Sequence, residues 1–312
     1  MPMPTFLVIG AMKSGTTSLY YYLRQHPQIY VPPSRKEAQF FCYEGQTPGF
    51  RGPGDDDVNR YIINDLEAYR ALFEAAPGRA AIGEVGTVYI YIPGTAERIH
   101  RHVPRARLIA ILRNPVHRAY SSFLHLAREA LEPCHDLAGA LRREPERIRE
   151  NWSPHWHYVQ AGFYRAQLER YLDLFDRRQI RVYLYDDYQR DPLALVQDMF
   201  RFLGVNDSFV PDMSLRHNVA GTPRSRALHR FLDRRHPIKA LLRPFLSSER
   251  RLAIRERVRL LNLRTPPPLA PALRRRLLEI YREDILALQG LLDRDLSHWL
   301  TPDNDEVTGD SE

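Results

Sequence analysis

Two stretches of the sequence bring together side chains suited to anion chemistry. In FLVIGAMKSGTTSLYYYLRQHP, Phe6–Pro27, an apolar run ends in glycine and is followed by Lys13, Ser14, Gly15, Thr16 and Thr17. A glycine at position 15 lets backbone approach an anion, and the amides of Gly15, Thr16 and Thr17 open a helix toward it. Lys13 adds a mobile positive charge, and the threonine hydroxyls add donors. The order departs from the usual nucleotide phosphate loop, in which lysine and then serine or threonine follow the last glycine; here Lys13 stands two residues before Gly15. In the second stretch, RNPVHRAYSSF, Arg113 ends another apolar run, and Ser121 and Ser122 lie about two helical turns on. Arginine offers bidentate contact to phosphate and serine a hydroxyl. Arg118 in the same stretch reads as part of a solvated helix face.

These residues need a scaffold, and the apolar patterning supplies one. Thr5–Ile9, Ala80–Val85, Arg107–Leu112 and Gln179–Tyr185 read as buried strands. Helices are expected at Thr16–Gln25, Asp57–Ala76, Ala96–Val103, from Pro115 onward, Gly162–Phe175, Leu193–Leu203 and Pro271–Leu292. Strands alternating with helices imply an α/β fold with a parallel central sheet flanked by helices, like that of phosphate-loop proteins. Such sheets bind ligands beyond the carboxyl ends of their strands. Three of the four strands end at unusual residues, namely Gly10, Glu84 and the Arg113-Asn114-Pro115 turn, so a single site is expected there. One domain is expected over residues 1–300, with a polar, proline-punctuated insertion at about 132–157 and a helical C-terminal part at about 222–300. Met213–Arg226 reads as loop, and the acidic residues 301–312 as a disordered tail.

Composition narrows the class. The chain has 312 residues, 44% of them hydrophobic, which fits an ordinary globular protein. No apolar run reaches the ~18 residues of a membrane span, and no signal peptide is read at the N-terminus. The two cysteines, Cys42 and Cys134, have neither zinc-site nor disulfide-scaffold spacing, which favours a reducing, cytoplasmic setting. The net charge is +7, and of 45 basic residues three are lysines, two of them (Lys13 and Lys36) near the loop. Lysine and arginine are not interchangeable at a tight anion site. A phosphate-loop kinase or NTPase is one alternative, opposed by the position of Lys13. A basic nucleic-acid or polyanion-binding protein is another. The arginines of RREPERIRE and RRRLLEIYRED are interleaved with acids, as on solvated helix faces, so no nucleic-acid partner is expected.

The segments AMKSGTTSL, RKEAQFF, RNPVHRAYSSF, AGFYRAQLERYL and NVAGTPRSRALHRFL, in that order between Phe6 and about Trp299, resemble the sulfotransferases that use 3'-phosphoadenosine 5'-phosphosulfate (PAPS). They are most similar to the heparan-sulfate-type and bacterial carbohydrate branch, as is the ending YREDILALQGLLDRDLSHW. The resemblance implies the sulfotransferase fold and PAPS as co-substrate; no metal is expected, since no carboxylate follows the loop where a magnesium ligand would stand. It implies that Lys13, Ser14, Gly15, Thr16 and Thr17 hold the 5'-phosphosulfate and that Arg113 and Ser121 hold the 3'-phosphate. Arg224 would belong to a late loop closing over that phosphate. Glu37 of RKEAQFF would be the base and Lys13 would stabilise the leaving group, with a carbohydrate, glycoconjugate or other small molecule as acceptor. Other branches use a histidine, which makes His26, His100, His102, His117 and His125 rivals to Glu37. Apolar walls around Glu37 would raise its pKa and Lys36 would oppose that. The segment GEVGTVYIY lacks the lysine and Pro-x-Tyr of many heparan-type members. The acceptor side thus has no motif to match, and Lys36, Glu84, Tyr89 and Trp156 are the residues expected there. Glu84 stands between a site role and a structural pairing with Lys13 or an arginine. The aromatics Trp152, Trp156 and Tyr158 stand between a sugar platform and an anchor for the insertion.

Overall fold

The computed structural model describes residues 2–76, 78–214, 222–223, 263–264 and 266–301. Its main sheet has five strands among the described residues: β1 (Phe6–Gly10), β2 (Ile29–Tyr30), β3 (Ala81–Val85), β4 (Arg107–Leu112) and β5 (Ile180–Leu184). Their order is β2-β3-β1-β4-β5 and every pairing is parallel. The helices are α1 (Thr16–Gln25), α2 (Phe40–Tyr43), α3 (Asp55–Tyr61), α4 (Leu66–Ala71), α5 (Thr95–His102), α6 (Pro115–Arg128), α7 (Leu137–Arg149), α8 (Tyr164–Leu172), α9 (Tyr185–Arg190), α10 (Pro192–Leu203) and α11 (Pro271–Leu292).

The sheet is buried on both faces, which is why its strands are continuous apolar runs rather than alternating ones. Side chains still alternate between two cores. Phe6, Val8, Ile109 and Ile111 pack with Leu19 and Leu23 of α1 and with Val196, Met199 and Phe200 of α10. Leu7, Ile9, Leu108, Ala110 and Leu112 point the other way, into a larger core that takes in residues of α5, α6, α8 and α11. Along α11, Leu277, Tyr281, Ile285, Leu288 and Leu292 form the buried stripe. No helix of the described residues is long and apolar enough to cross a membrane.

Three expectations change. Ile29–Tyr30 adds an edge strand beside Ala81 and Ile82, too short to show a period in the sequence. The expected helix at Asp57–Ala76 divides into α3 and α4, because the Asp65 carboxylate accepts from the Ala68 amide at 2.8 Å and starts a new helix there. The insertion carries α7, capped by Asp136, whose carboxylate accepts from the Gly139 amide at 2.6 Å. Of the expected helical part at 222–300, α11 is described, whereas most of 222–262, including Arg224, and the expected tail after Thr301 lie outside the described residues.

The chain crosses from one side of β1 to the other between β3 and β4, so the crevice of this sheet opens at the carboxyl ends of β1, β3 and β4. Gly10 ends β1 and Arg113 follows β4 on that side, whereas Glu84 lies within β3, paired in register with Leu7 of β1. The C-terminal segment is fastened to the same edge. Asp186, just after β5, accepts from Trp299 Nε1 at 2.7 Å and lies 3.0 Å from His298 Nε2, and Asn114 Nδ2 donates to the Trp299 carbonyl at 3.2 Å.

Candidate active site

The loop after β1 is built for close approach of an anion. Lys13 has a left-handed backbone, φ 64°, and Gly15, the N-cap of α1, has φ 85°. The positive φ favours glycine at position 15, and a Cβ there would come within 3.1 Å of the Tyr185 ring, which would have to give by a few tenths of an ångström. Ser14 is fully buried, and its hydroxyl finds no partner among the described residues. Such a group signals a missing ligand or water. Arg113 at the end of β4 donates from Nη1 to the Lys13 carbonyl at 3.2 Å, and its guanidinium lies 4.7 Å from the Tyr185 ring centre. Burial depresses the Lys13 ammonium to a pKa of about 7, with the charges of Arg128, Arg113 and Lys36 adding to the effect and Glu37 opposing it. The site thus concentrates positive charge.

Glu37 is tied to this loop. Lys36 Nζ donates to Thr17 Oγ1 at 3.0 Å and to Glu37 Oε1 at 2.7 Å, while Thr87 Oγ1 donates to Glu37 Oε2 at 2.6 Å. Burial pushes the Glu37 carboxyl up, but the Lys36 charge and hydrogen bond and the Thr87 hydroxyl outweigh it and hold the group below the usual carboxylate range. Glu37 is therefore ionised and able to accept a proton. Its side chain keeps 19% of its surface exposed.

The neighbouring carboxylate has a different task. Glu84 is fully buried; it accepts from the Ala38 amide at 3.0 Å, Tyr69 OH at 2.6 Å and Tyr89 OH at 2.7 Å. Burial drives its pKa up to about 7, against those hydrogen bonds. This corrects the acceptor-side placement of Glu84 and Tyr89, and also a pairing of Glu84 with Lys13 or an arginine. Both residues lie in the core behind the site, where they fix the turn that carries Glu37; Gln39 of that turn has φ 58°. Trp156 is likewise no surface platform. It is buried, its Nε1 3.3 Å from Asp55 Oδ1 and its ring 5.0 Å from the Arg147 guanidinium. The aromatics anchor the insertion, though not as a purely apolar patch: Arg147 and Glu132 form a buried pair at 2.7 Å beside them, and Tyr158 donates to Glu132. Arg118 is no solvated arginine either; it is fully buried and donates to the Tyr158 carbonyl.

Ser121 lies half-buried on α6, and Lys36 remains at the site. Among the rival histidines, His26 is buried, with Nε2 2.9 Å from the Asn206 carbonyl and its ring against Phe200. His102 pairs with Glu44 at 2.6 Å, and His100 packs on Phe175. His125 contacts Arg128 at 3.1 Å. A histidine in electrostatic reach of Glu37, Lys13 and Lys36 is His155, which the sequence reading passed over. Its neighbours Trp152, Trp156 and Tyr158 drew attention as aromatics, and no spacing rule links position 155 to position 37. Tyr185 and Tyr188 were missed too. They follow β5, and their proximity to Gly15 depends on the sheet order.

The family model described as "Sulfotransferase family" matches residues 92–208. The chain is 36% identical to a sulfotransferase from Alicyclobacillus acidocaldarius of known crystal structure, with 96% of this chain and 100% of that one covered at a TM-score of 0.75. A sulfotransferase domain from the curacin biosynthetic pathway shares the fold at 14% identity and a TM-score of 0.50, with 95% of this chain and 100% of that one covered. Among curated proteins, the membrane-associated sulfotransferase kil1 of Dictyostelium discoideum is 26% identical over 310 residues, which span 74% of this chain and 62% of kil1. Bifunctional heparan sulfate N-deacetylase/N-sulfotransferase 4 of Mus musculus is 27% identical over 224 residues, 66% of this chain and 23% of that protein. The chain therefore spans less than two thirds of these curated relatives.

Proposed function

Because the chain belongs to the sulfotransferase family, we propose that it moves the sulfuryl group of PAPS to a hydroxyl or amine of a carbohydrate or glycoconjugate, in a cytoplasmic setting. One observation carries the reading. Lys36 bridges Thr17 of the anion loop to Glu37, so the proton acceptor and the anion loop form a single hydrogen-bonded unit.

The residues present fit the donor. The orphaned Ser14 hydroxyl, the α1 amides and a lysine whose pKa is depressed by burial and then by neighbouring cations call for an anion. Lys13, Ser14, Gly15, Thr16 and Thr17 would hold its 5' end, and Arg113 and Ser121 its 3'-phosphate. PAPS supplies a sulfuryl group on a phosphate leaving group. Glu37 takes the proton of the attacking hydroxyl or amine as the new bond to sulfur forms. Lys13 meets the electron pair left on the phosphate oxygen as the old S–O bond breaks. An anion in the loop raises the proton affinity of Lys13 and so restores its charge when it is needed. Positioning and electrostatics supply the rest. The heparan sulfate relatives support a carbohydrate acceptor.

Calorimetry with the desulfated product, PAP, tests the donor. Binding without added metal is expected, followed by transfer of labelled sulfate to members of a panel of amino sugars and oligosaccharides. A chain that ignores PAP but binds ATP with magnesium would overturn the proposal in favour of a nucleotide kinase.

A further inference from the structure

His155 sits in a short 3-10 turn, Pro154–Trp156, pinned on two sides. Its carbonyl accepts from Ser122 Oγ on α6 at 3.2 Å, and its Nδ1 lies 3.3 Å from Ser153 Oγ. Ser153 is fully buried, and Asp55 is 2% exposed. The Asp55 carboxylate accepts from the Ser153 amide at 2.8 Å, from Ser153 Oγ at 2.7 Å, from the Gly52 amide at 2.8 Å and from Trp156 Nε1 at 3.3 Å. These contacts fix the imidazole tautomer. Ser153 has one hydroxyl proton, and a carboxylate accepts without donating. The proton therefore lies toward Asp55, and Ser153 Oγ is left as acceptor for the imidazole. Nδ1 must carry the imidazole proton, and Nε2 holds a lone pair. Burial lowers the proton affinity of the ring, with Glu37 and Asp55 opposing and Lys13 and Lys36 reinforcing, so the neutral form dominates near neutral pH. No other described residue takes Nε2.

We propose that His155 is the acceptor-side partner of Glu37: Asp55 and Ser153 lock its tautomer so that Nε2 accepts a hydrogen bond from a hydroxyl or amine of the molecule being sulfated. His155 thus selects acceptors that carry a second donor group close to the one that reacts, and this inference rests on the sulfuryl-transfer reading of the site. In this arrangement the insertion supplies a polar selector anchored on α6 at Ser122, next in sequence to Ser121.

The test uses the full chain with 15N-labelled histidine and bound PAP, and an N-deacetylated heparosan tetrasaccharide as acceptor probe. Long-range 15N–1H spectra, with His155→Gln to assign the signals, should show Nδ1 protonated and Nε2 bare, with Nε2 shifting as tetrasaccharide is added. Ser153→Ala should release the tautomer preference. In transfer assays His155→Ala should raise the acceptor KM about 5- to 10-fold, the size of one lost hydrogen bond. PAP affinity should stay within twofold, and His155→Gln, which keeps an acceptor oxygen, should recover most of the loss. A bare Nδ1, an unchanged acceptor KM, or a loss confined to PAP binding would each overturn the proposal. If PAP binds but the tetrasaccharide is neither bound nor sulfated, the carbohydrate reading fails, and the tautomer alone then decides for or against the His155 arrangement.

Discussion

At the scale of single residues, the site works by setting neighbouring charges against one another. Lys13 is depressed to about 7 by burial and by three other cations, so its charge depends on what fills the loop. Anion binding to the protonated lysine takes up a proton when the pH is above that value. PAP affinity should therefore weaken as pH rises through about 7, and Lys13→Ala should abolish that dependence while lowering kcat roughly 10²-fold. Calorimetry across pH and turnover assays measure both. Glu37 is shifted the other way, below the usual carboxylate range, because Lys36 and Thr87 favour its ion. A base must be unprotonated to act, so activity should persist down to acid pH and fall only as pH drops through this lowered value. Glu37→Gln should cost on the order of 10²–10⁴ in kcat, and Lys36→Ala should move the acid limb of the pH–rate profile upward. Lys13 and Arg113 could be singled out from sequence, because a lysine beside a loop glycine and an arginine at a strand end are local signals. His155 could not, because what matters about it is a hydrogen bond chain reaching back to Asp55.

At the scale of elements, four of the five strands and several of the helices between them were legible to within a few residues. β4 and α11 fall where the apolar pattern puts them, because burial of both sheet faces and of one helix stripe leaves a strong imprint. The insertion was not legible in the same way. Its sequence is polar and charged, yet α7 buries Glu144 and Arg147. Glu144 takes the amides of Val159 and Gln160, and Arg147 grips Glu132 through two hydrogen bonds at 2.9 and 2.7 Å. Polar residues were read as solvent-facing when they are paired inside. Removing one partner of such a pair leaves an uncompensated buried charge. Arg147→Met should thus destabilise the protein by about 3–5 kcal/mol. Replacing both partners, with Glu132→Leu in addition, should recover part of the loss in thermal melts, and single and double variants melting alike would contradict this.

At the scale of the whole molecule, the C-terminal segment closes the sheet edge next to the site. Trp299 is 1% exposed and bonds Asp186, one residue from the Tyr185 ring that covers Gly15. Trp299→Ala should cost about 3–5 kcal/mol of stability and also weaken PAP binding; a melt and a calorimetric titration on one preparation read both. Taken by itself, the sequence determined the parallel α/β scaffold through local periodicity and picked out the anion loop and Arg113 through short runs of residue types, whereas Glu37 came only from the resemblance of RKEAQFF to the family. The tertiary structure set apart the two acids that the sequence leaves alike. Glu37 and Glu84 are both carboxylates near the strand ends. One is held ionised by a lysine and a threonine at the crevice, and the other is shut in the core with two tyrosines. It also brought His155 within electrostatic reach of Glu37. Long-range packing creates these environments, and the chain order of residues 37, 84 and 155 carries no trace of them.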